Sequence, residues 1–259
     1  MSLVQYETTS KQVGKITLND PDKLNAMGDE MAKDFRETVA KLKGDSNIRV
    51  LLLTGAGRAF SAGGDLLMLE RKTALGGEQN RRLMLEYYHS FLGVLDLGIP
   101  IIAAINGHAI GAGLCLAAAC EVRVCSDKAK LGLTFTKLGL HPGMGASFSL
   151  PRLVGSSNAA LLMLSGRVIQ ADEAFRIGLV SKVVPAEKVL TEAQSIADEI
   201  LGCGPEATKQ VTATLRTGMG SLREALEREA VTQGINYASA ELKEGVQAAI
   251  QKRNPKFGV

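Results

Sequence analysis

Two glycine-rich segments have the residue types and spacing to do chemistry: Ala59-Phe60-Ser61-Ala62-Gly63-Gly64-Asp65-Leu66 and Asn106-Gly107-His108-Ala109-Ile110-Gly111-Ala112-Gly113-Leu114. Each follows a strand-like run and leads into helical sequence, so each would present free backbone N–H groups where a helix begins. Two such loops meeting at one point would aim two donors at one oxygen. That is an oxyanion hole, able to stabilise charge that develops on a carbonyl. The simpler alternative is that the glycines only permit tight turns with positive φ.

Other chemistries lack their signatures. Gly55-Ala56-Gly57 hints at a dinucleotide loop, but Phe60 stands where the third glycine belongs. The chain has no GxxxxGK[ST] phosphate loop, no HExxH and no GxSxG nucleophile elbow. His89, His108 and His141 lack metal-ligand spacing and read as structural or partly exposed histidines. No metal is expected.

The elements that must position the loops are legible from periodicity. Leu3 to Thr9 and Val13 to Leu18 alternate like strands before the turn Asn19-Asp20-Pro21. Met31, Phe35, Val39 and Leu42 mark one face of a helix over about Asp29 to Lys43. Arg49 to Gly55 and Ile101 to Ile105 are short apolar runs, the pattern of strands buried on both faces, which argues for an α/β fold. Val122 to Cys125 and Leu179 to Val184 are further strand candidates. From about Glu187 helical periodicity dominates, giving a strand-rich core over residues 1–195 and a helical section over 196–259. The apolar stripes of that section, with Leu222, Leu226 and Val231, need a covering surface.

Composition sets the outer bounds. At roughly 150 residues per domain, 259 residues make one large domain or two small ones. With 46% hydrophobic and 22% charged residues, the chain is expected to be globular rather than disordered. Thirty Lys+Arg against 27 Asp+Glu leave +3, too little to make nucleic acid the expected partner. No apolar stretch approaches 18 residues, so no membrane insertion is expected. Met1 to Gln5 lacks the start of a signal peptide. Cys115, Cys120, Cys125 and Cys203 form no CxxC pair and read as buried reduced thiols of a cytoplasmic protein.

Taken together, the blocks resemble the enoyl-CoA hydratase/isomerase (crotonase) family. The resemblance runs from Asn19-Asp20-Pro21-Asp22-Lys23-Leu24-Asn25-Ala26-Met27 through Phe60 to Leu66, Pro100 to Gly107 and Gly111-Ala112-Gly113. It continues in Leu138-Gly139-Leu140 with Pro142-Gly143-Met144-Gly145, Leu164 to Arg167 and Gly178-Leu179-Val180, and ends in Lys252 to Phe257. These blocks stand in family order along nearly the whole chain. The resemblance implies a crotonase-like spiral of ββα units with a C-terminal helical trimerisation region, assembled as a trimer or dimer of trimers. It implies a CoA thioester as substrate or ligand, with no permanently bound cofactor. By position, the oxyanion donors are the N–H groups of Gly64 and Ala112. The CoA contacts map to Lys23 and Ala26, to Ala62, Gly64, Asp65 and Leu66, and to Lys252 and Phe257, the last two reaching the adenine end from a neighbouring subunit. Asp65 could instead cap the following helix.

Two departures matter. Where the family's hydratases carry two glutamates, this chain has Cys115 and Phe135. Cys115 falls early in a helix, where the dipole can depress a thiol pKa, but Leu114 and Leu116 beside it favour an apolar filler. Aryl-CoA dehalogenases of the same family place a histidine on the helix before the Pro100 strand; Tyr88 and His89 fall there, one residue out of register. Gly143 stands where their aspartate would be, which disfavours that reaction, and His141 is the other outside candidate. Phe135, Met68, Met84, Phe148 and Met144 suggest an apolar pocket. Three functions follow: an enzyme working through a thioester enolate, a non-catalytic acyl-CoA binder, and a dehydrogenase using the loops for NAD. A crotonyl-CoA hydration assay beside a CoA-ester titration separates the first two, and NADH fluorescence tests the third.

Overall fold

A computed structural model describes residues 2–10, 12–45, 47–218 and 220–257. The chain opens with the hairpin β1 (Val4–Ser10) and β2 (Val13–Leu18), followed by helix α1 (Asp29–Leu42). Three ββα units come next. The first is β3 (Val50–Gly55) and β4 (Ala59–Ser61) with helices α2 (Leu66–Thr73) and α3 (Gly77–Leu92). The second is β5 (Ile101–Ile105), β6 (His108–Ile110) and α4 (Ala112–Ala118). The third is β7 (Val122–Ser126), β8 (Lys130–Gly132) and α5 (Ala146–Ser165). Strand β9 (Val168–Gln170), helix α6 (Ala171–Arg176) and strand β10 (Lys182–Val184) complete the sheets.

The first strand of each unit joins a six-stranded sheet in the order β1-β2-β3-β5-β7-β10, parallel from β2 onward. The second strand turns away into a four-stranded sheet, β4-β6-β8-β9. This alternation between two sheets is the spiral that the resemblance implies. Asn106 ties two of the turns together: its Oδ1 accepts the Gly55 N–H at 3.1 Å and its Nδ2 donates to the Gly57 carbonyl at 3.0 Å.

Strands β3 and β5 are buried along their whole length, as their apolar runs predict. Successive side chains of a strand point to opposite faces, so each supplies two cores. Leu51, Leu53, Ile101, Ala103 and Ile105 pack with Met31, Phe35, Val39 and Leu42 of α1. Val50, Leu52, Ile102 and Ala104 pack with Val189, Ala193 and Ala197 of helix α7 (Val189–Leu201). The core boundary placed at residue 195 therefore falls inside α7, whose apolar face belongs to the sheet. The chain leaves the core only after Leu201, in helices α8 (Pro205–Thr217), α9 (Leu222–Tyr237) and α10 (Ala240–Ile250). The strand expected over Leu179 to Val184 is shorter at its start. The Leu179 and Val180 amides both turn back to the Ala174 carbonyl at the end of α6, at 2.8 and 3.3 Å, before β10 begins.

Among the described residues, no helix is long and apolar enough to cross a membrane. Cys115, Cys120 and Cys125 are buried, but Cys203 is exposed in the turn between α7 and α8, contrary to the expectation for all four.

Candidate functional site

The first glycine loop is held from below by a buried asparagine. Asn25 Oδ1 accepts the Asp20 N–H at 2.8 Å, and Nδ2 donates to the carbonyls of Ala56 at 2.9 Å and Ala59 at 2.8 Å. Ser61 Oγ donates to the Asn25 carbonyl at 2.8 Å and accepts the Gly63 N–H at 3.0 Å. The loop then pairs with Met27: the Met27 N–H donates to the Gly63 carbonyl at 2.7 Å and the Asp65 N–H to the Met27 carbonyl at 3.2 Å. A parallel bridge uses the groups on either side of its central residue, so the N–H of Gly64 itself faces away from Met27. No described residue accepts it. The buried Tyr87 hydroxyl also donates to the Met27 carbonyl, at 2.8 Å, bracing the bridge from α3.

The second loop turns at Gly111, whose N–H donates to the Gly132 carbonyl at 2.8 Å. Ala112 is the first residue of α4, a position whose N–H has no partner within the helix. The two loops touch. A Cβ on Gly63 (φ +95°) would stand 2.6 Å from the Ile110 carbonyl oxygen and 3.4 Å from the Ala112 nitrogen. Only glycine fits there, on conformation and on space.

Both loops open onto a cleft of about 850 Å³. Lys23, Ala26, Ala62, Gly64, Asp65, Leu66, Ala112 and Phe135 all line it. Segments far apart in the chain thus meet at one surface. Asp65 also has the second role considered for it, its Oδ1 accepting the Met68 N–H at 2.6 Å as the cap of α2. Met68, Met84 and Met144 join Phe135 in the wall. Phe148 does not: it lies on the exposed face of α5 with the Arg152 guanidinium 3.4 Å over its ring.

Cys115 lies beneath the cleft rather than in its wall, on the buried face of α4. Burial pushes its thiol up to about 12, overriding any benefit from the helix start. His141 reaches the cleft, with Nδ1 2.7 Å from the Pro142 carbonyl, whereas His89 is exposed outside it. His108 Nδ1 accepts the Lys130 N–H at 3.1 Å, a structural role between β6 and β8. Lys252 and Phe257 are not brought to the cleft within one chain. Lys252 is exposed, and Phe257 packs 3.7 Å from a Cβ position on Gly245, in a hollow between α9 and α10.

Sequence reasoning passed over Asn25 as a support and Tyr87 as a brace. Asn25 sits inside a quoted motif, and its αL conformation (φ +55°) is a signal of local side-chain bonding. By sequence alone Tyr88 stands out only for its register. In the structure it lines the cleft, half-buried, and burial raises its phenol pKa.

The enoyl-CoA hydratase/isomerase family model matches residues 8–259. A Thermus thermophilus protein provisionally named an enoyl-CoA hydratase is 38% identical over 258 residues, covering 98% of this chain and 100% of its own. The crotonyl-CoA hydratase of Syntrophomonas wolfei is 34% identical, covering 95% of each chain. The crystal structure of an enoyl-CoA hydratase from Bacillus anthracis superposes with a TM-score of 0.91 at 33% identity, covering 98% of each chain. By family model, relatives and fold alike, this chain belongs to the enoyl-CoA hydratase/isomerase family.

Proposed function

We propose that the cleft holds the thioester end of an acyl-CoA, with the N–H groups of Gly64 and Ala112 donating to the thioester oxygen as it takes on enolate character. The observation that carries this reading is the pair of amides without an acceptor in the described residues, on loops that touch at Gly63 and Ala112. Donors fixed in advance stabilise developing charge without reorganising. Lys23, Ala26, Ala62, Asp65 and Leu66 form the surface for the rest of the CoA. Lys252 and Phe257 serve its adenine end from an adjacent copy. Self-association as a trimer or dimer of trimers supplies that copy. It also covers α9, which buries none of its residues and leaves Leu222, Leu226, Val231 and Ile235 56–75% exposed.

Water addition needs positioned acid and base groups, and here they are poor. The Cys115 thiol stays protonated at neutral pH, and Phe135 has no proton to exchange. The carboxylates on the cleft are Asp65, engaged as a helix cap, and Glu70, which is exposed. Missing acid/base groups cost about 10²–10⁴-fold each. The protein therefore hydrates crotonyl-CoA at least about 10²-fold slower than an ordinary hydratase. The same poverty favours a second reading, a non-catalytic acyl-CoA binder. Calorimetric titration with acetyl-, butyryl- and crotonyl-CoA beside a crotonyl-CoA hydration assay decides. Binding with slow hydration supports the first reading, binding with no turnover on any acyl-CoA supports the second, and no heat with any ester overturns both.

A further inference from the structure

The phenol of Tyr88 occupies a seat built from a distant loop. A Cβ on Gly143 would overlap its oxygen outright and stand 2.9 Å from Cζ, so the ring rests where only glycine leaves space. The next residue, Met144, takes a positive φ of 54°, a conformation rare for a side chain of its size. The Tyr88 hydroxyl has no hydrogen-bond partner among the described residues, and it is not sealed from the cleft that its ring lines. Burial and the neighbouring Cys115 keep the phenol protonated, a donor rather than a base. Met84, Phe135, Leu140 and Met144 share a largely apolar wall with it, which His141 also lines.

An O–H without an acceptor in an apolar wall is satisfied by an acceptor on the ligand. We infer that Tyr88 is the specificity-determining residue of this cleft, its O–H donating to an oxygen on the acyl group. The substrate class is then acyl-CoA thioesters carrying a hydroxyl, oxo or carboxylate oxygen, in preference to hydrocarbon acyl chains of equal length. A hydrocarbon chain leaves the donor unpaired, and sites built to hydrogen-bond a ligand discriminate strongly against analogues that lack the partner. The inference rests on the proposal that the cleft takes acyl-CoA, and it goes further by naming what the acyl group carries.

The test is calorimetric titration with four-carbon esters: butyryl-CoA against 3-hydroxybutyryl-, 3-oxobutyryl- and succinyl-CoA. At least one oxygenated ester should bind wild type about tenfold more tightly than butyryl-CoA, the order expected for one good hydrogen bond. Tyr88→Phe should collapse that ratio to within about twofold. Gly143→Ala, which keeps the hydroxyl but fills its seat, should collapse it as well, and circular dichroism checks that both variants fold. Should Tyr88→Phe prove unfolded, Gly143→Ala alone decides. Equal affinities for all four esters in wild type, or a ratio that survives both substitutions, would overturn the role of Tyr88 while leaving acyl-CoA binding in place. Absence of binding by every ester overturns the acyl-CoA reading and this inference together.

Discussion

Arg216 grips Glu121 with two parallel contacts, Nε to Oε1 at 2.7 Å and Nη2 to Oε2 at 2.9 Å. The same carboxylate accepts the N–H of Ile101, the first residue of β5, at 2.8 Å. Arg216 also donates to the carbonyls of Leu95 and Ile99. One guanidinium thus anchors α8 to the strand that leads into the second glycine loop. Both side chains are mostly buried, at 18% and 11% exposure. Removing one partner of such a pair leaves the other charge uncompensated, at a cost of about 3–5 kcal/mol. Arg216→Ala should lower the unfolding free energy by that order in urea titrations. Arg216→Lys should rescue little, because an ammonium cannot reproduce the fork.

Ala112 offers a way to delete a single backbone donor. Proline is tolerated at the first position of a helix, where the N–H has no helical partner. Ala112→Pro should therefore keep α4 while removing its N–H from the cleft. Loss of one oxyanion donor typically costs about 10²–10³ in kcat. Whatever turnover wild type shows on its preferred thioester should fall by that factor, with the circular dichroism spectrum retained. Unaltered turnover would remove Ala112 from the oxyanion site.

Thiol chemistry should separate the cysteines cleanly. Burial holds Cys115, Cys120 and Cys125 each at about 12, against an ordinary 9.0. In native protein at pH 8 a disulfide reagent should label Cys203 alone, and all four should react after denaturation. The pH dependence follows in sign. Below the unfolded value near 9 both states hold the protons, and stability is unaffected by these groups. As pH rises toward 12, the unfolded chain releases protons that the folded chain keeps, so stability falls across that window. Unfolding midpoints measured from pH 8 to 11 should decline at the upper end, and less steeply in Cys115→Ala.

Introducing carboxylates at Phe135 and Cys115 tests whether an acid/base pair is all that the proposed site lacks. Phe135→Glu places a carboxyl in the cleft wall, whereas Cys115→Glu buries one on the inner face of α4. The second should raise its own pKa and cost stability. The double variant should hydrate crotonyl-CoA at least about 10-fold faster than wild type. Its gain should exceed the product of the single gains, since two groups serving one water act as a unit. Cys115→Ala is the control and should retain any residual rate. Its loss would show that the thiol takes part.

Much of this protein was legible in its residues alone, for a physical reason. Periodicity reports how an element is buried along its own length, so the apolar runs of β3 and β5 and the striped face of α1 could be read directly. Glycine reports where the backbone must turn or approach closely, so Gly63 and Gly111 marked the loops. Tertiary structure decided which of the flagged side chains share a surface. Phe135 and Cys115 are the two positions where the resemblance to the family's hydratases leads one to expect glutamate. One lines the cleft and the other is sealed beneath it, because α4 turns its whole short length into the core. Phe148 matched the apolar pocket by type yet faces outward, since the exposed side of α5 has Arg152 to cover it. Ala197 reads as part of a separate helical section until the sheet supplies the partner that it shares with Val189 and Ala193. The seat of Tyr88 depends on Gly143, 55 positions along the chain. Such a relationship lives in no local pattern: it exists only once α3 and the turn before α5 are packed together.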